Sequence, residues 1–460
     1  MATYVLRRLL LMFPTLIGIT VVVFAVMAAS PGGISAQSLV EGQNLDPAAK
    51  KEIEAYYNRL YGLDSPPWLQ YLRWLNNVSP VGFVLDDAGH IAGFSLAKGS
   101  DLGRSFRYGR PVTELLAERV PITVLLNVLS IPVVYLLAIL VGVRAALERG
   151  KRFDVVSGVV MLALWSVPTM LAGVLLIGFF ASEQYWHWFP TAGLNERQAL
   201  DMPFLPHWHS LWDVLKLAVA SLGGLLLGLA LARPGAVIWR VAGGTLLGLG
   251  CGLAMLWSLP QQGQGGVAWL LPPLLGLLLG ALNATDYALL RYLLLGSLGW
   301  LLGAIAGHHW MSEGWVRGFL ADRLWHLVLP VITLSYGGFA GLAKLTRTAV
   351  LENLLADYAR TARAKGLPER VVLWRHVFRN SLLPLITVSA TILPGLLAGS
   401  VIVESIFSIE GMGKLAIEAV QTRDRELVLS ITLISGLLTL IGYLLADLLY
   451  AIADPRVSYD

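Results

Sequence analysis

Apolar residues in this chain run on without alternation. They form stretches near 9–29, 120–143, 157–180, 211–232, 236–258, 267–283, 287–306, 326–343, 382–403 and 427–449. About 20 helical residues cross the roughly 30 Å hydrocarbon core of a bilayer, and most of these runs reach that length. A spanning segment must satisfy its own backbone hydrogen bonds, which makes helices the default. A barrel would need short alternating strands instead. The pattern predicts an all-α polytopic membrane protein with ten spans, the third, fifth and sixth having the least distinct ends.

Loop charge sets an orientation. Arg7 and Arg8 precede the first run. Arg144, Arg149, Lys151 and Arg152 fill the turn at 144–156, and Lys344, Arg347, Arg360, Arg363, Lys365, Arg370, Arg375 and Arg379 crowd 344–381. With ten spans, these clusters, the turn flanked by Arg233 and Arg240, and both termini fall on one side, which the positive-inside rule makes the cytoplasm. The expected location is an inner membrane. The run from Leu9 to Ala29 exceeds the 7–15 apolar residues usual in a cleaved signal, so it reads as a retained helix at 1–29.

Composition agrees: 56% of residues are hydrophobic and 14% charged, against about 25% charged in soluble domains. The net charge of +4 belongs to inside loops and does not point to nucleic acid. Cys251 stands alone, so neither a disulfide nor a cysteine-based metal site can form within the chain.

Two outside segments differ in kind. Residues 30–119 are polar and read as a small external region of short helices. Residues 184–210 are rich in Trp, His and Pro. Their bland reading is an interfacial aromatic belt, with a metal site at His187, His207 and His209 as the sharper alternative; His308 and His309 pose the same choice. The block 211–306 is Leu/Gly-rich and almost uncharged. It reads as four extra helices, with Gly248, Gly250 and Gly252 allowing close helix contact.

The loop 344–381 carries the most specific pattern. From Asp357 it runs Tyr358-Ala359-Arg360-Thr361-Ala362-Arg363-Ala364-Lys365-Gly366-Leu367-Pro368, then through Trp374, His376 and Asn380 to Pro384. Gly366 followed by Pro368 stops a short helix sharply, and small residues on that helix permit close approach by a partner. A second amphipathic piece at 369–380 leads into the next span. There is no phosphate-binding G-x-x-x-x-G-K-[ST] loop: Gly413-Lys414 precedes Leu415, and Gly150-Lys151 fails likewise. The chain is expected to bind no ATP and to be no enzyme.

This loop resembles the "EAA" loop of ABC importer permeases in its dipeptide/oligopeptide variant, although Arg360-Thr361-Ala362 departs from the general pattern. Tyr4 through Pro31-Gly32-Gly33, Tyr61 through Pro66, Gln70-Tyr71, Asp101 through Phe106, Glu404 through Gly413 and Asp454-Pro455-Arg456 resemble other parts of the same family. Arg152-Phe153-Asp154 and Ser408 through Asp424 resemble the microcin C-type peptide importer branch. Together these cover about 1–200 and 320–460.

The resemblance implies a type I ABC importer permease core of six helices, with permease helices and an external loop at 120–210 and more of the core at 320–460. The block 211–306 would be an insertion of about four helices. It implies a second homologous permease subunit, two ABC ATPase subunits carrying ATP and Mg, and a periplasmic substrate-binding protein. It also implies that Tyr358, Ala359, Ala362, Arg363, Ala364, Lys365, Gly366, Leu367, Pro368, His376 and Asn380 form the ATPase-coupling element. Glu404, with Phe407, Gly411 and Gly413, reads as a gate or cargo contact, or as an interfacial carboxylate held by water. Asp447 reads as an interfacial or helix–helix group. The expected cargo is peptide; nickel, glutathione or oligosaccharide would use the same machinery. A carrier driven by an ion gradient would show ionisable residues at mid-membrane depth, where these spans have almost none.

Overall fold

The computed structural model describes residues 2–30, 46–60, 65–85, 91–208, 210–233, 235–257, 259, 266–311 and 315–453. Pro31-Gly32-Gly33, residues 61–64, His209 and the signature at 454–456 lie outside them. Among the described residues, seven helices are long and apolar enough to cross a membrane, or eight if one broken pair counts as a single span. A helix stands at each of the ten apolar runs, and the chain is all-α apart from two short antiparallel strand pairs.

Three differences from the sequence pattern have local causes. The expected span at 157–180 breaks between α5 (Arg152–Ser166) and α6 (Thr169–Leu176). Pro168 disfavours helical geometry in the residue before it, and Val167 is extended at φ −82°, ψ 123°. Its freed carbonyl accepts a hydrogen bond from the Tyr336 hydroxyl at 2.7 Å. The run at 267–283 is a 3₁₀ turn, Gly266–Leu270, followed by only 13 helical residues, Leu271–Asn283. At 1.5 Å per residue that helix is about 20 Å long, short of the hydrocarbon width. The polar stretch 30–119 holds α2 (Pro47–Leu60) and α3 (Pro67–Val78) as expected, but also a hairpin that the pattern did not predict. Its strands β1 (Gly82–Leu85) and β2 (Ile91–Ser95) pair Phe83 with Phe94.

The chain divides into two compact units, residues 1–169 with 334–460, and residues 170–333. In the first, α1 (Ala2–Ala29) and α14 (Arg379–Ile406) pack on the last helix, α16 (Arg425–Ala453). Arg8 near the start of α1 pairs with Asp447 near the end of α16 at 2.9 Å. That contact makes Asp447 a helix–helix group. The polar stretch is anchored by Tyr71 and Trp74 of α3, which pack on Phe24 and Leu429, and the Tyr71 hydroxyl lies 2.9 Å from that of Thr20. A second core joins Leu102, Val112 and Leu115 to Met412, Leu415 and Leu427. Outward-facing Leu10, Phe13, Val22, Val159, Leu162 and Trp165 are each 60% exposed or more. Exposed large apolar side chains on helices of this length belong against lipid.

In the second unit, helix pairing is nested. α7 (Leu211–Ala232) packs on α10 (Ala288–Trp310), and α8 (Val237–Trp257) packs on α9 (Leu271–Asn283). Glycine is what permits the approach. A Cβ on Gly224 would lie 2.9 Å from the Gly303 Cα, and one on Gly248 would lie 2.7 Å from the Gly276 Cα. The contact row on α8 is Gly244, Gly248 and Gly252, spaced by one helical turn, whereas Gly250 meets nothing within 4 Å. The expected trio is therefore corrected: residues two apart point to opposite faces of a helix.

The aromatic segment belongs to this unit. Trp186 and Trp188 stack at 5.5 Å, Phe189 stacks on Trp325 at 4.5 Å, and Trp186 donates to the Met255 carbonyl at 3.0 Å. The His187 Nδ1 lies 2.8 Å from the Ala181 carbonyl oxygen. Among the described residues, no group of three His, Cys, Asp or Glu side chains comes close enough to hold a metal.

Candidate functional site

The polar loop begins where α11 (Gly318–Leu355) ends. After Ala356, whose extended backbone starts a new turn, α12 (Asp357–Ala364) forms a free-standing helix of two turns. Its C-terminus closes in a Schellman motif. The Gly366 N–H donates to the Arg363 carbonyl at 2.9 Å, and the Leu367 N–H donates to the Ala362 carbonyl at 3.4 Å. This requires a left-handed residue, and Gly366 sits at φ +75°, a conformation that costs glycine little and other residues about 1–2 kcal/mol. Pro368 then opens a second short turn, Glu369–Val371. The expected amphipathic piece at 369–380 continues as a π-helical stretch, Val372–Phe378, that merges into α14.

The faces of α12 divide sharply. Ala359 and Ala362 are buried and pack with Val143, Ala146, Val350, Val372 and Val377. The close approach made possible by these small residues is to the chain's own core, which corrects their placement on a partner-facing surface. Arg363 ties the helix at both ends, donating to the Leu354 carbonyl at 3.2 Å and to the Glu369 carboxylate at 2.7 Å. The Tyr358 hydroxyl bonds Asn353. The outward face consists of Asp357, Tyr358, Arg360, Thr361, Ala364, Lys365, Gly366, Leu367 and Pro368, all exposed. On the following stretch Trp374 is 47% exposed, Asn380 is exposed and His376 is half-buried. The result is a braced polar knob whose base is apolar and fixed.

One brace escaped the sequence reading. Asp154, in the first turn of α5, takes a two-pronged ion pair from Arg347 of α11, at 2.5 and 2.7 Å, and a hydrogen bond from the Gly150 N–H at 2.9 Å. It joins the basic turn 144–156 to the helix that leads into α12. The pair borders a cavity of about 640 Å³ lined by Val141, Gly142, Met161, Trp165 and Lys344.

The other candidate cluster lies after α14. Glu404 is fully buried. It accepts a hydrogen bond from the Thr123 hydroxyl at 2.6 Å and another from the Lys414 N–H at 3.0 Å. The Thr123 oxygen in turn accepts from the Met412 N–H at 2.8 Å. Gly411 and Gly413 are buried: a Cβ on Gly411 would meet the Glu404 carboxylate, and one on Gly413 would lie 2.6 Å from the Val401 Cα, and Phe407 is 2% exposed. The reading of Glu404 as an interfacial carboxylate held by water is thus corrected. These four residues latch the loop onto α4 (Val112–Leu147), and none presents an open face.

Further latches extend outward. Arg119 and Lys414 both pair with Glu410. Ser105 donates to the buried Asp424 at 2.5 Å, whose carboxyl is held above its ordinary range by burial, the Ser105 hydrogen bond opposing this. Burial and a hydrogen bond to Glu418 push the Tyr108 phenol up to about 12. Partners 280 or more residues apart leave no local signature, so Thr123, Ser105 and Arg119 could not be found by spacing.

A family model described as binding-protein-dependent transport system inner membrane component matches residues 138–459, and a companion model for its N-terminal part matches 1–127. The chain is 27% identical over 460 residues to an oligopeptide transport system permease protein of Bacillus subtilis, all of both chains being covered. It is 25% identical to a peptidoglycan transport system permease protein of Agrobacterium fabrum, covering 100% of this chain and 99% of the other. It is 27% identical to a dipeptide transport system permease protein of Escherichia coli, again covering 100% and 99%. The braced knob, the apolar exterior and these matches have one conclusion: the chain belongs to the family of inner-membrane components of binding-protein-dependent transport systems.

Proposed function

We propose that this chain is the transmembrane permease subunit of an ATP-driven importer of peptides. The observation that carries the reading is α12, a two-turn helix buried along Ala359 and Ala362 and exposed along Asp357, Arg360 and Thr361. Such a part transmits force: its base is anchored in the core, and its outer face is free to seat in another subunit. ATPase subunits docked there would supply the energy, since the chain has no phosphate-binding loop of its own. When they close, α12 moves, and Arg363 and the Asp154–Arg347 pair carry the displacement into α11 and α5. A second permease would complete the path, and the passage would alternate between its two sides as rigid bodies rock. The latched loop 404–424 would lie on the outer face, where a substrate-binding protein delivers cargo, and both termini would be cytoplasmic.

Peptide cargo is supported by the names of the relatives. The test is uptake into proteoliposomes holding this chain and its co-purifying partners, with ATP inside and a mixture of di- and oligopeptides outside. ATP-dependent peptide uptake, competed by peptides and not by nickel, glutathione or oligosaccharide, is the expected result. Uptake driven by an ion gradient without ATP would overturn the assignment.

A further inference from the structure

The four-helix block contains a buried positive charge, Arg291, that its own side chains do not answer. Its charged residues fall at two ends. Asp213 and Lys216 pair with each other near the start of α7, at 3.2 Å. Arg233, Arg240, Asp286 and Arg291 occupy the other end. The nested pairing brings those four together. Gly228 of α7 abuts the backbone of Leu295 and Gly296, so one turn further along the same antiparallel register Arg291 stands beside Ala232. Gly243 of α8 abuts Leu231, and Ala232, Leu247, Leu279 and Leu295 share one core.

Three arginines against one aspartate leave an excess of two positive charges. Arg240 is neutralised: it reaches Asp286 at 3.1 Å and the Thr285 carbonyl at 3.4 Å. Arg291 is not. It is 7% exposed, and its Nε and Nη1 are buried without a hydrogen-bond partner. The helix ends cannot compensate. Two N-termini and two C-termini meet here, so their dipoles largely oppose one another. Two of the terminal carbonyls are also taken, Leu231 by Asn283 at 3.1 Å and Thr285 by Arg240. A desolvated guanidinium whose Nε and Nη1 have no partner is costly to leave alone, and a guanidinium is a strong charge-assisted donor to phosphate oxygens.

What surrounds the site says how a phosphate would arrive. Leu226, Leu227, Ile238, Trp239 and Leu293 are all more than half exposed. An apolar girdle with an outward tryptophan beside arginines marks the interface depth of a spanning block. We propose that Arg291, with Arg240 and Arg233 at its flanks, holds the headgroup phosphate of an anionic phospholipid whose chains lie on the apolar face of α7 to α10. The site concerns the block that carries no transport motif and does not depend on the cargo.

The test is native mass spectrometry of the intact chain with its co-purifying partners, mixed with phosphatidylglycerol or phosphatidylcholine. Phosphatidylglycerol should be retained at least about fivefold better, on the scale of one basic side chain near a membrane surface. R291Q should lose that preference and R291K should keep most of it. R233Q changes an exposed side chain, leaves folding intact and should lower retention to a smaller degree, which keeps the test open if R291Q does not fold. Millimolar inorganic phosphate should not displace the lipid. Equal retention of the two lipids, or a preference untouched by both R291Q and R233Q, would overturn the proposal. So would displacement by inorganic phosphate, which would identify a free anion as the occupant.

Discussion

The permease core and the four-helix block solve the same packing problem with different chemistry. Around α4, α14 and α16 the core is pinned by buried polar groups whose partners are far apart in sequence: Glu404 with Thr123, Asp424 with Ser105, and Arg425 with Gln70 at 2.9 Å. The block instead brings helix backbones together through rows of glycine. In a bilayer, apolar side chains gain nothing by leaving lipid for one another, so association rests on close packing or on polar bonds. Polar pins specify a register and can transmit motion, because breaking one leaves a costly orphan. Glycine rows give tight contact through backbone packing. The comparison separates a region pinned by specific polar partners far apart in sequence from one held chiefly by close backbone contact.

Removing the block is the coarsest way to break that contrast. Replacing 211–306 with a short polar linker should lower expression and stability yet leave the order of peptide preference in competitive uptake unchanged. A reordered preference would put the block on the transport path. Next is Glu404→Leu, which leaves the Thr123 hydroxyl and the Lys414 N–H without their acceptor inside the protein. We expect a loss of about 3 kcal/mol, read as a lowered unfolding temperature in detergent; an unchanged temperature would show that the latch is not needed.

Within the block, Gly248→Leu forces a side chain into the backbone of α9 and should cost about 1–3 kcal/mol, whereas Gly250→Leu should stay within about 0.5 kcal/mol of the parent. Equal losses at both sites would refute the spacing of the contact row. Gly366→Ala places a Cβ at φ +75° and should cost about 1 kcal/mol, slowing ATP-driven uptake without blocking insertion. Gly366→Glu should reduce uptake further. Last, Asp447→Asn breaks a half-exposed pair with Arg8 and should shift stability by about 0.5 kcal/mol at most.

Much of this was legible from the residues alone. Continuous apolar runs located the helices, although among the described residues only seven, or eight with the broken pair, are long and apolar enough to cross a membrane. Gly366 and Pro368 marked the end of α12, because a left-handed cap has few alternatives to glycine. What periodicity could not carry was direction. Ala359 and Ala362 look equally suited to a partner or to the core, and only the positions of Val143 and Val377 decide between them. Pro168 could have been read as a break rather than as one residue of a span. Glu404 illustrates the limit: a carboxylate at the end of an apolar run suggests water or cargo until Thr123, 281 residues away, is seen to hold it.

The central claim is that the outer face of α12 seats in an ATPase subunit while its inner face does not. Cross-linking from single cysteines, introduced at Arg360 or at Ala359 after Cys251→Ser, tests it directly in membranes containing the whole transporter. Arg360→Cys should cross-link to an ATPase subunit, in a yield that changes when ATP is trapped, and Ala359→Cys should give no product. Failure of Arg360→Cys to reach any ATPase, in a transporter still active in uptake, would contradict the account.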